Sequence, residues 1–165
     1  MKSDSESFEA IYRLHFDAIY RFVLANTRNR ADCEEIVQET FLKLYTHFRS
    51  IQNPRGWLFR CANNLIVDGS RRRPLSGEQP ECLASASPSP ETMAGHKERR
   101  LHILEALAGL VETQRRCLTL REYGGLSYRE IADTLGLSVD EVKVHIYRAR
   151  KNLRRELEGL REELS

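Results

Sequence analysis

Six lysine or arginine side chains and no aspartate or glutamate lie between residues 143 and 155 of the sequence. Guanidinium and ammonium groups bind phosphate oxygens, so a helix that carries them is suited to nucleic acid. A charged amphipathic helix is, however, more often a plain solvated surface. The basic run therefore needs a second feature before it indicates DNA binding.

Two capping boxes supply that feature. Ser127 with Glu130, and Ser138 with Glu141, have the serine–glutamate spacing that starts a helix. Gly136, between them, can adopt the left-handed conformation that ends the first helix. Two short helices around a glycine turn predict a helix-turn-helix, and the basic run then lies on its second helix.

The second helix of this motif has a predicted buried face and a predicted DNA face. Val142, Ile146, Ala149 and Leu153 recur at the helical period, and Ala132 in the first helix is small enough for a close crossing. Such a helix enters the major groove with its first turns against base edges. The base-reading candidates are Lys143, Val144, His145 and Tyr147, and the phosphate-binding candidates are Arg148, Arg150 and Lys151.

The first half of the chain is also predicted to be helical. Apolar residues over 8–23 recur with the helical period and predict a first helix that ends near Arg28. A second helix begins about Asp32, whose side chain can cap it, and a third begins at Pro54 after Asn53. The predicted inward residues of the second and third helices are Cys33, Ile36, Val37, Phe41, Leu44, Phe48, Leu58, Cys61, Ala62 and Leu65.

A change of composition separates the two halves. Four of the five prolines lie between Pro74 and Gly95, where no apolar period is present, so this stretch is predicted to be a flexible linker. Beyond it the helical pattern resumes, with Ala108 and Val111 among the predicted inward residues. The predicted fold class is all-α, with two small helical domains joined by the linker and the helix-turn-helix in the second.

Several function classes are disfavoured by composition. No apolar run approaches a membrane span and no signal pattern opens the chain, so we expect a cytoplasmic protein. The four cysteines are scattered without a CxxC pair, and the five histidines have no metal-binding or nucleophile spacing. No phosphate-binding glycine loop is present. We therefore expect no enzymatic activity, no cofactor and no metal.

The segment from Gly125 to Arg150, GLSYREIADTLGLSVDEVKVHIYRAR, resembles the second conserved domain of extracytoplasmic-function (ECF) sigma factors. That family has a pattern like G-L-S-Y-x-E-I-A-x-x-L-G-x-S-x-x-T-V-K-S-R-x-x-R-A-R. The sequence departs from it at Glu141, Val144 and His145, near the DNA-facing start of the recognition helix. The promoter preference of the family therefore does not transfer to this chain.

A second resemblance lies in the first half of the chain. Residues 32–45, DCEEIVQETFLKLY, are similar to the family segment D-A-E-D-L-V-Q-E-T-F-L-x-x-Y, which contacts the coiled-coil clamp of RNA polymerase. Without the resemblance, the polar face of this helix would be interpreted as solvated surface. The polymerase-binding residues that the resemblance implies are Asp32, Glu35, Gln38, Glu39, Leu42 and Lys43.

Residues 54–73, PRGWLFRCANNLIVDGSRRR, resemble the promoter-melting stretch of the family, W-L-x-x-I-A-x-N-x-x-x-D-x-x-R-R. Melting needs surfaces on which an extruded base can stack, groups that bond its edges, and basic side chains for the displaced strand. Trp57 could equally be a core residue. The implied minus-ten DNA-binding residues are Trp57, Arg60, Asn63, Asn64, Arg71, Arg72 and Arg73.

The resemblance implies a domain organisation and partners. Residues 1–73 would be the sigma region 2 domain, 74–96 the flexible linker, and 97–165 the sigma region 4 domain that binds the minus-thirty-five element. The implied partners are core RNA polymerase, promoter DNA and an anti-sigma factor, and the free chain is expected to be monomeric. The alternative is a stand-alone helix-turn-helix regulator, which predicts an apolar pocket or a self-complementary surface in residues 1–73.

Overall fold

The computed structural model describes residues 2–72 and 93–163, with side chains over 7–69 and 95–163. The regular structure in these stretches is entirely helical, as the sequence predicts. The helices are α1 (Lys2–Asn26), α2 (Arg30–His47), α3 (Pro54–Arg72), α4 (Met93–Ala108), α5 (Glu112–Glu122), α6 (Tyr128–Leu135) and α7 (Val139–Glu163), and a 3₁₀ turn, Phe48–Ser50, follows α2.

The start of α2 differs from the prediction. Asn29, and not Asp32, is the N-cap: its side-chain oxygen accepts a hydrogen bond of 2.8 Å from the backbone amide of Asp32. Asp32 lies in the first turn instead, where a carboxylate interacts favourably with the helix dipole. The start of α3 is as predicted, because Asn53 Oδ1 accepts from the amide of Gly56 at 3.2 Å with Pro54 in the first turn.

The three N-terminal helices each bury one apolar face. Ile36, Phe48, Cys61 and Leu65, which were predicted to face inward, are only half-buried. The buried apolar residues of this half are Ile19, Phe22, Val23, Ala25, Cys33, Val37, Phe41, Leu44, Leu58, Phe59, Ala62 and Ile66. The inward face of α3 is thus rotated from the predicted one toward Phe59 and Ile66.

The junction between α4 and α5 also differs from the prediction. Ala108 and Val111 are exposed, Val111 to 63%, whereas Leu107 and Leu110 are buried. For Val111 the reason is that α4 ends at Ala108, so the helical period of α4 does not continue through Val111. Val111 is the residue immediately before α5.

A glycine pair after α5 is required by close packing. A Cβ atom on Gly124 would lie 2.7 Å from the carbonyl oxygen of Leu120 and 3.2 Å from the ring of Phe59. Gly125 has a φ of 60°, which favours glycine. The chain can therefore turn tightly from α5 into α6 while α5 approaches α3.

The two halves of the chain pack against each other. Ala25 of α1 is buried among Leu107, Leu110, Leu118 and Ala149 of the second half. Polar contacts accompany this packing: the side-chain amide of Asn26 donates to Thr119 Oγ1 at 3.0 Å, and Arg55 Nη2 lies 3.8 Å from Glu130 Oε2. The larger apolar cluster also contains buried residues of both halves, so two clusters join them.

The predicted linker lies mostly outside the described residues. Residues 74–92 belong to that undescribed part, and the described chain resumes with α4 at Met93, four residues before the predicted domain boundary at 97. Among the described residues, no helix is both long and apolar enough to cross a membrane.

Candidate nucleic-acid interface

Both predicted capping boxes are present at the helix-turn-helix. The amide of Ser127 donates to Glu130 at 2.7 Å and the amide of Glu130 donates to Ser127 Oγ at 3.1 Å. Ser138 and Glu141 form the same pair of bonds, at 2.7 and 3.2 Å. Gly136 separates α6 from α7 with a φ of 68°. The start of α7 is therefore fixed by its own sequence.

The carboxylates of these boxes are engaged with the backbone. Hydrogen bonds from the backbone and side chain of Ser138 lower the pKa of Glu141, and the backbone amide of Ser127 does the same for Glu130. Glu141 is one of the three departures from the family pattern. Since one of its oxygens is bonded to the amide of Ser138, its first role is to cap α7 and not to contact a base.

The buried face of α7 is the predicted one. Val142, Ile146 and Ala149 are at most 1% exposed, and Leu153 is half-buried. Ala132 of α6 is also buried, as expected for the small residue at the crossing. This packing orients α7, because any rotation about its axis would expose the apolar face.

The predicted DNA residues of α7 do not all lie on its free surface. His145 is half-buried, and its Nδ1 atom is buried without a hydrogen-bond partner among the described residues. Lys143 Nζ lies 3.9 Å from Asp140 Oδ1. The exposed members of the predicted set are Lys143, Val144, Tyr147, Arg148, Arg150 and Lys151.

Arg150 has an intramolecular partner that the sequence analysis missed. Its Nη2 atom donates to Glu122 Oε1 of α5 at 2.7 Å, and this bond raises the pKa of Arg150. The two residues are 28 positions apart, so no local spacing indicates the pair. Glu122 thus holds Arg150 against the body of the second half.

Arg121 is a second missed residue near the motif. Its Nη1 atom donates to the carbonyl oxygen of Leu126 at 2.8 Å, and its guanidinium lies 5.0 Å from the ring centroid of Tyr128. These contacts hold the turn between α5 and α6. Arg121 therefore helps to position α6, the first helix of the helix-turn-helix.

The polar face of α2 points away from the core. Glu35, Gln38 and Lys43 are exposed, and Leu42 is 62% exposed in their midst. Asp32 and Glu39 are half-buried, and Glu39 pairs with Lys43 at 3.3 Å. The structure thus brings the six predicted polymerase-binding residues together on one side of α2.

Tyr45 extends this surface and was not predicted. It is 64% exposed, and its ring packs edge-on against Phe8 of α1 with 5.2 Å between the ring centroids. Two large apolar side chains, Leu42 and Tyr45, are therefore exposed within one turn of each other. Their spacing of three residues was the available signal.

The predicted melting residues divide between two sides of α3. Arg60 and Asn64 are exposed, and Trp57 is half-buried with its ring 6.4 Å from that of His47. Asn63 is only 3% exposed, and its Oδ1 atom has no hydrogen-bond partner among the described residues. Arg73 and the side chains of Arg71 and Arg72 lie outside the described residues.

Asn63 lies on the side of α3 that carries Phe59. The two residues are four positions apart, so they share a helix face. Phe59 reaches Gly124 of the second half, and Arg55, one turn earlier, reaches Glu130. Burial and the positive charge of Arg55 also lower the pKa of the nearby His15. The second half thus contacts α3 at Arg55 and Phe59, while Phe59 also packs edge-on against Phe22 of α1.

The described thiols are poorly suited to redox or metal chemistry. Burial raises the pKa of Cys33 to about 12 and that of Cys117 to about 11, and it also raises the pKa of Cys61. No group of three or more histidine, cysteine, aspartate or glutamate side chains is placed to hold a metal in the described stretches. Cys82 lies outside them.

Two family models match this chain, one in each half. Residues 11–74 match the model of sigma-70 region 2, which spans most of α1 and all of α2 and α3. Residues 100–153 match the model of sigma-70 region 4, which contains the helix-turn-helix. The intervening residues, 75–99, contain most of the predicted linker.

Individual proteins are similar over most of the chain. The ECF RNA polymerase sigma factor SigE of Mycolicibacterium smegmatis is 33% identical over 90% of this chain, which spans only 60% of that protein. SigL of Mycobacterium tuberculosis is 30% identical over 96% of this chain and 93% of its own length.

A solved structure has the same fold. The sigma factor RpoE of Bartonella quintana, crystallised with the anti-sigma factor NepR, superimposes with a TM-score of 0.77 and is 21% identical. The superposition covers 93% of this chain and 98% of that one. With both sigma-70 regions present and a relative such as SigL matched almost end to end, the chain belongs to the ECF sigma factors.

Proposed function

We propose that this chain directs core RNA polymerase to specific promoters and initiates transcription there. The observation that carries the proposal is the presence of sigma-70 regions 2 and 4 in one chain, each with an exposed helix face suited to its partner. Because the polymerase and the chromosome are its partners, the protein acts in the cytoplasm. The docking and melting domain is residues 1–73, and the linker is residues 74–96. The domain that binds the upstream element is residues 97–165.

The free surface of α7 binds the minus-thirty-five element as duplex. Lys143, Val144 and Tyr147 contact base edges, while Arg148 and Lys151 contact phosphates farther along the helix. His145, half-buried beside them, supports the reading surface from one side. Arg150 can bind a phosphate when its hydrogen bond to Glu122 breaks. A charged phosphate oxygen competes with the Glu122 carboxylate for the guanidinium group.

The polar face of α2 docks on the polymerase. An exposed leucine among charged residues is the arrangement of an interface core surrounded by a polar rim, and Leu42 has that position among Glu35, Gln38, Glu39 and Lys43. Tyr45 enlarges the apolar part of the surface. Docking through this face leaves α7 free for DNA.

The outer side of α3 captures the minus-ten element as a single strand. Trp57 offers an aromatic surface for a base, Asn64 can bond base edges, and Arg60 can hold a phosphate. Arg71, Arg72 and Arg73 would continue the basic surface. Asn63 is buried, so it can contact DNA only after the packing around it has changed.

An anti-sigma factor is a further expected partner. The structural neighbour from Bartonella quintana was crystallised with one, and the fold is shared over nearly the whole chain. A partner of this kind would bind both halves at once and keep them from the polymerase. In its absence we expect the free chain to be a monomer.

The alternative, a stand-alone regulator, predicts an apolar pocket in the first half. A groove of about 210 Å³ lies between α1 and α2 and includes Tyr12, Phe16 and Phe41. Tyr12 is 38% exposed, so the groove opens to solvent instead of enclosing a ligand. Its side chains are continuous with the core, and the groove therefore gives the alternative little support.

Run-off transcription distinguishes the two functions. Purified core polymerase is supplied with a pool of promoter fragments, with and without this chain. Discrete transcripts that require the chain are the expected result, because a sigma factor confers specific initiation. A chain that shifts DNA in a gel but yields no chain-dependent transcript would be a regulator, and the proposed function would be wrong.

A further inference from the structure

We propose that Val144 and Tyr147 form an apolar strip that reads the methyl groups of thymines in the minus-thirty-five element. The inference rests on the proposed function, because it assigns a base chemistry to the DNA-binding surface of α7. The family pattern has serine at the position of Val144 and specifies no residue at the position of Tyr147. The strip is therefore a feature of this chain's own sequence.

Helix geometry places Val144 at the centre of the free surface. The buried residues Val142, Ile146 and Ala149 define the direction toward the core. Successive residues of an α-helix are rotated by about 100°, so Val144 points almost directly away from that direction. Tyr147, three residues later, is its neighbour on the same surface.

Both side chains are available to a ligand. Val144 is 44% exposed and Tyr147 is 68% exposed. The other residues on this free side, Asp140, Arg148 and Lys151, are charged and exposed. An apolar pair is thus placed between an acidic residue at the helix start and basic residues farther along.

The polar side chains beside this pair lie at its flanks or bond to the backbone. Lys143 projects toward one flank, 3.9 Å from Asp140. Glu141 bonds the amide of Ser138, and the Nδ1 atom of His145 is buried. The side chains at the centre of the surface therefore differ in chemistry from those at its edges.

The chemistry of the major groove then selects the base. Valine can neither donate nor accept a hydrogen bond, so it distinguishes bases only through apolar contact. The C5-methyl group of thymine is the apolar feature that base pairs present in the major groove. We infer that the bound element has at least one thymine opposite Val144, with the ring of Tyr147 against the same or the adjacent methyl group.

Replacing thymine with deoxyuridine tests this directly, because it removes the methyl group and leaves base pairing intact. A preferred promoter is first selected with holoenzyme from fragments randomised in the minus-thirty-five element, and each thymine is then replaced in turn. Loss of one buried methyl group should weaken holoenzyme binding by about three- to fivefold at one or two positions. Other thymines in the element should show no loss.

Val144→Ser links the effect to the side chain. The variant should bind thymine and deoxyuridine equally at the position that is sensitive in the unmodified protein. The matched control is Val111→Ser, since Val111 is 63% exposed, lies immediately before α5 and is not part of α7. The control should retain the three- to fivefold preference.

The outcomes separate this inference from the proposed function. If holoenzyme initiates specifically but no thymine is enriched, or no deoxyuridine substitution weakens binding, the apolar-strip inference is overturned while the sigma function stands. The apolar-strip inference is also overturned if both Val144→Ser and Tyr147→Ala retain the preference for thymine over deoxyuridine. If no chain-dependent initiation occurs at all, the proposed function itself fails.

Discussion

Ser138 shows how a single side chain sets the DNA-binding helix in place. Its hydroxyl accepts from the amide of Glu141, and its own amide donates to the carboxylate of Glu141. These bonds satisfy backbone groups that α7 would otherwise leave unpaired at its start. Because Val144 and Tyr147 lie in the second and third turns of α7, the position of the proposed reading surface depends on this cap.

Removal of the cap should cost stability, and a residue that can replace the hydroxyl should restore it. Ser138→Ala is expected to lower the free energy of unfolding by about 1 kcal/mol, while Ser138→Asn should lie close to the unmodified protein. Urea denaturation followed by circular dichroism measures both. Equal destabilisation by alanine and asparagine would show that the hydroxyl is not what stabilises the start of α7.

At the scale of an element, α2 combines two requirements in one helix. One side supplies Cys33, Val37, Phe41 and Leu44 to the core, and the other exposes charged residues around Leu42. A leucine on the exposed side contributes little to folding. Its exposure is therefore better explained by contact with another molecule than by the stability of the domain.

Leu42→Glu should weaken association with core polymerase by at least tenfold, since it places a charge in the centre of the docking surface. Leu14→Glu is the matched control, because Leu14 of α1 is 73% exposed and lies outside that surface. Surface plasmon resonance with immobilised core polymerase measures both variants. Similar affinities for the two variants would remove the polar face of α2 from the polymerase interface.

At the scale of the whole molecule, the packing of the two halves decides which surfaces are open. The polar face of α2 and the free side of α7 remain exposed. The second half covers part of α3 near its start, with Phe59 close to Gly124 and Arg55 beside Glu130. The proposed polymerase docking and duplex binding are thus possible in this arrangement, whereas full access of single-stranded DNA to the start of α3 requires the halves to part.

The substitution Ala25→Glu should separate the two halves of the chain. Ala25 is the residue of the first half that lies among Leu107, Leu110, Leu118 and Ala149, and a carboxylate cannot be buried there without a partner. A compact chain of this length has a radius of gyration of about 15 Å, and the variant should exceed this value in small-angle X-ray scattering. Ala10→Glu, at an exposed position of the same helix, should not.

The same pair of variants tests whether the packing limits strand capture. Ala25→Glu should bind a labelled single-stranded oligonucleotide of random sequence more tightly than Ala10→Glu does, while their binding to random duplex should be alike. Circular dichroism establishes that both variants remain helical. An unmodified chain that is already extended in solution would contradict the packed arrangement.

The sequence alone determined the features that depend on neighbours within one or two turns. The capping boxes, the glycine turn, the buried face of α7 and the single exposed side of α2 all follow from three- and four-residue spacings, which a helix converts directly into positions in space. The family resemblance rested on the same local patterns. The structure confirms the all-α fold class, which could be predicted because helical periodicity is itself a local pattern.

Only the tertiary structure decided which faces of those helices meet. The inward rotation of α3 toward Phe59, the burial of Asn63 and the bond between Arg150 and Glu122 all involve residues far apart in the chain. Their partners are chosen by the packing of helices that are distant in the sequence, both within each half and between the halves, and no local period specifies that packing. Tertiary packing also covered the predicted apolar face of α7, formed by Val142, Ile146 and Ala149, and left Val144 and Tyr147 exposed on the opposite side.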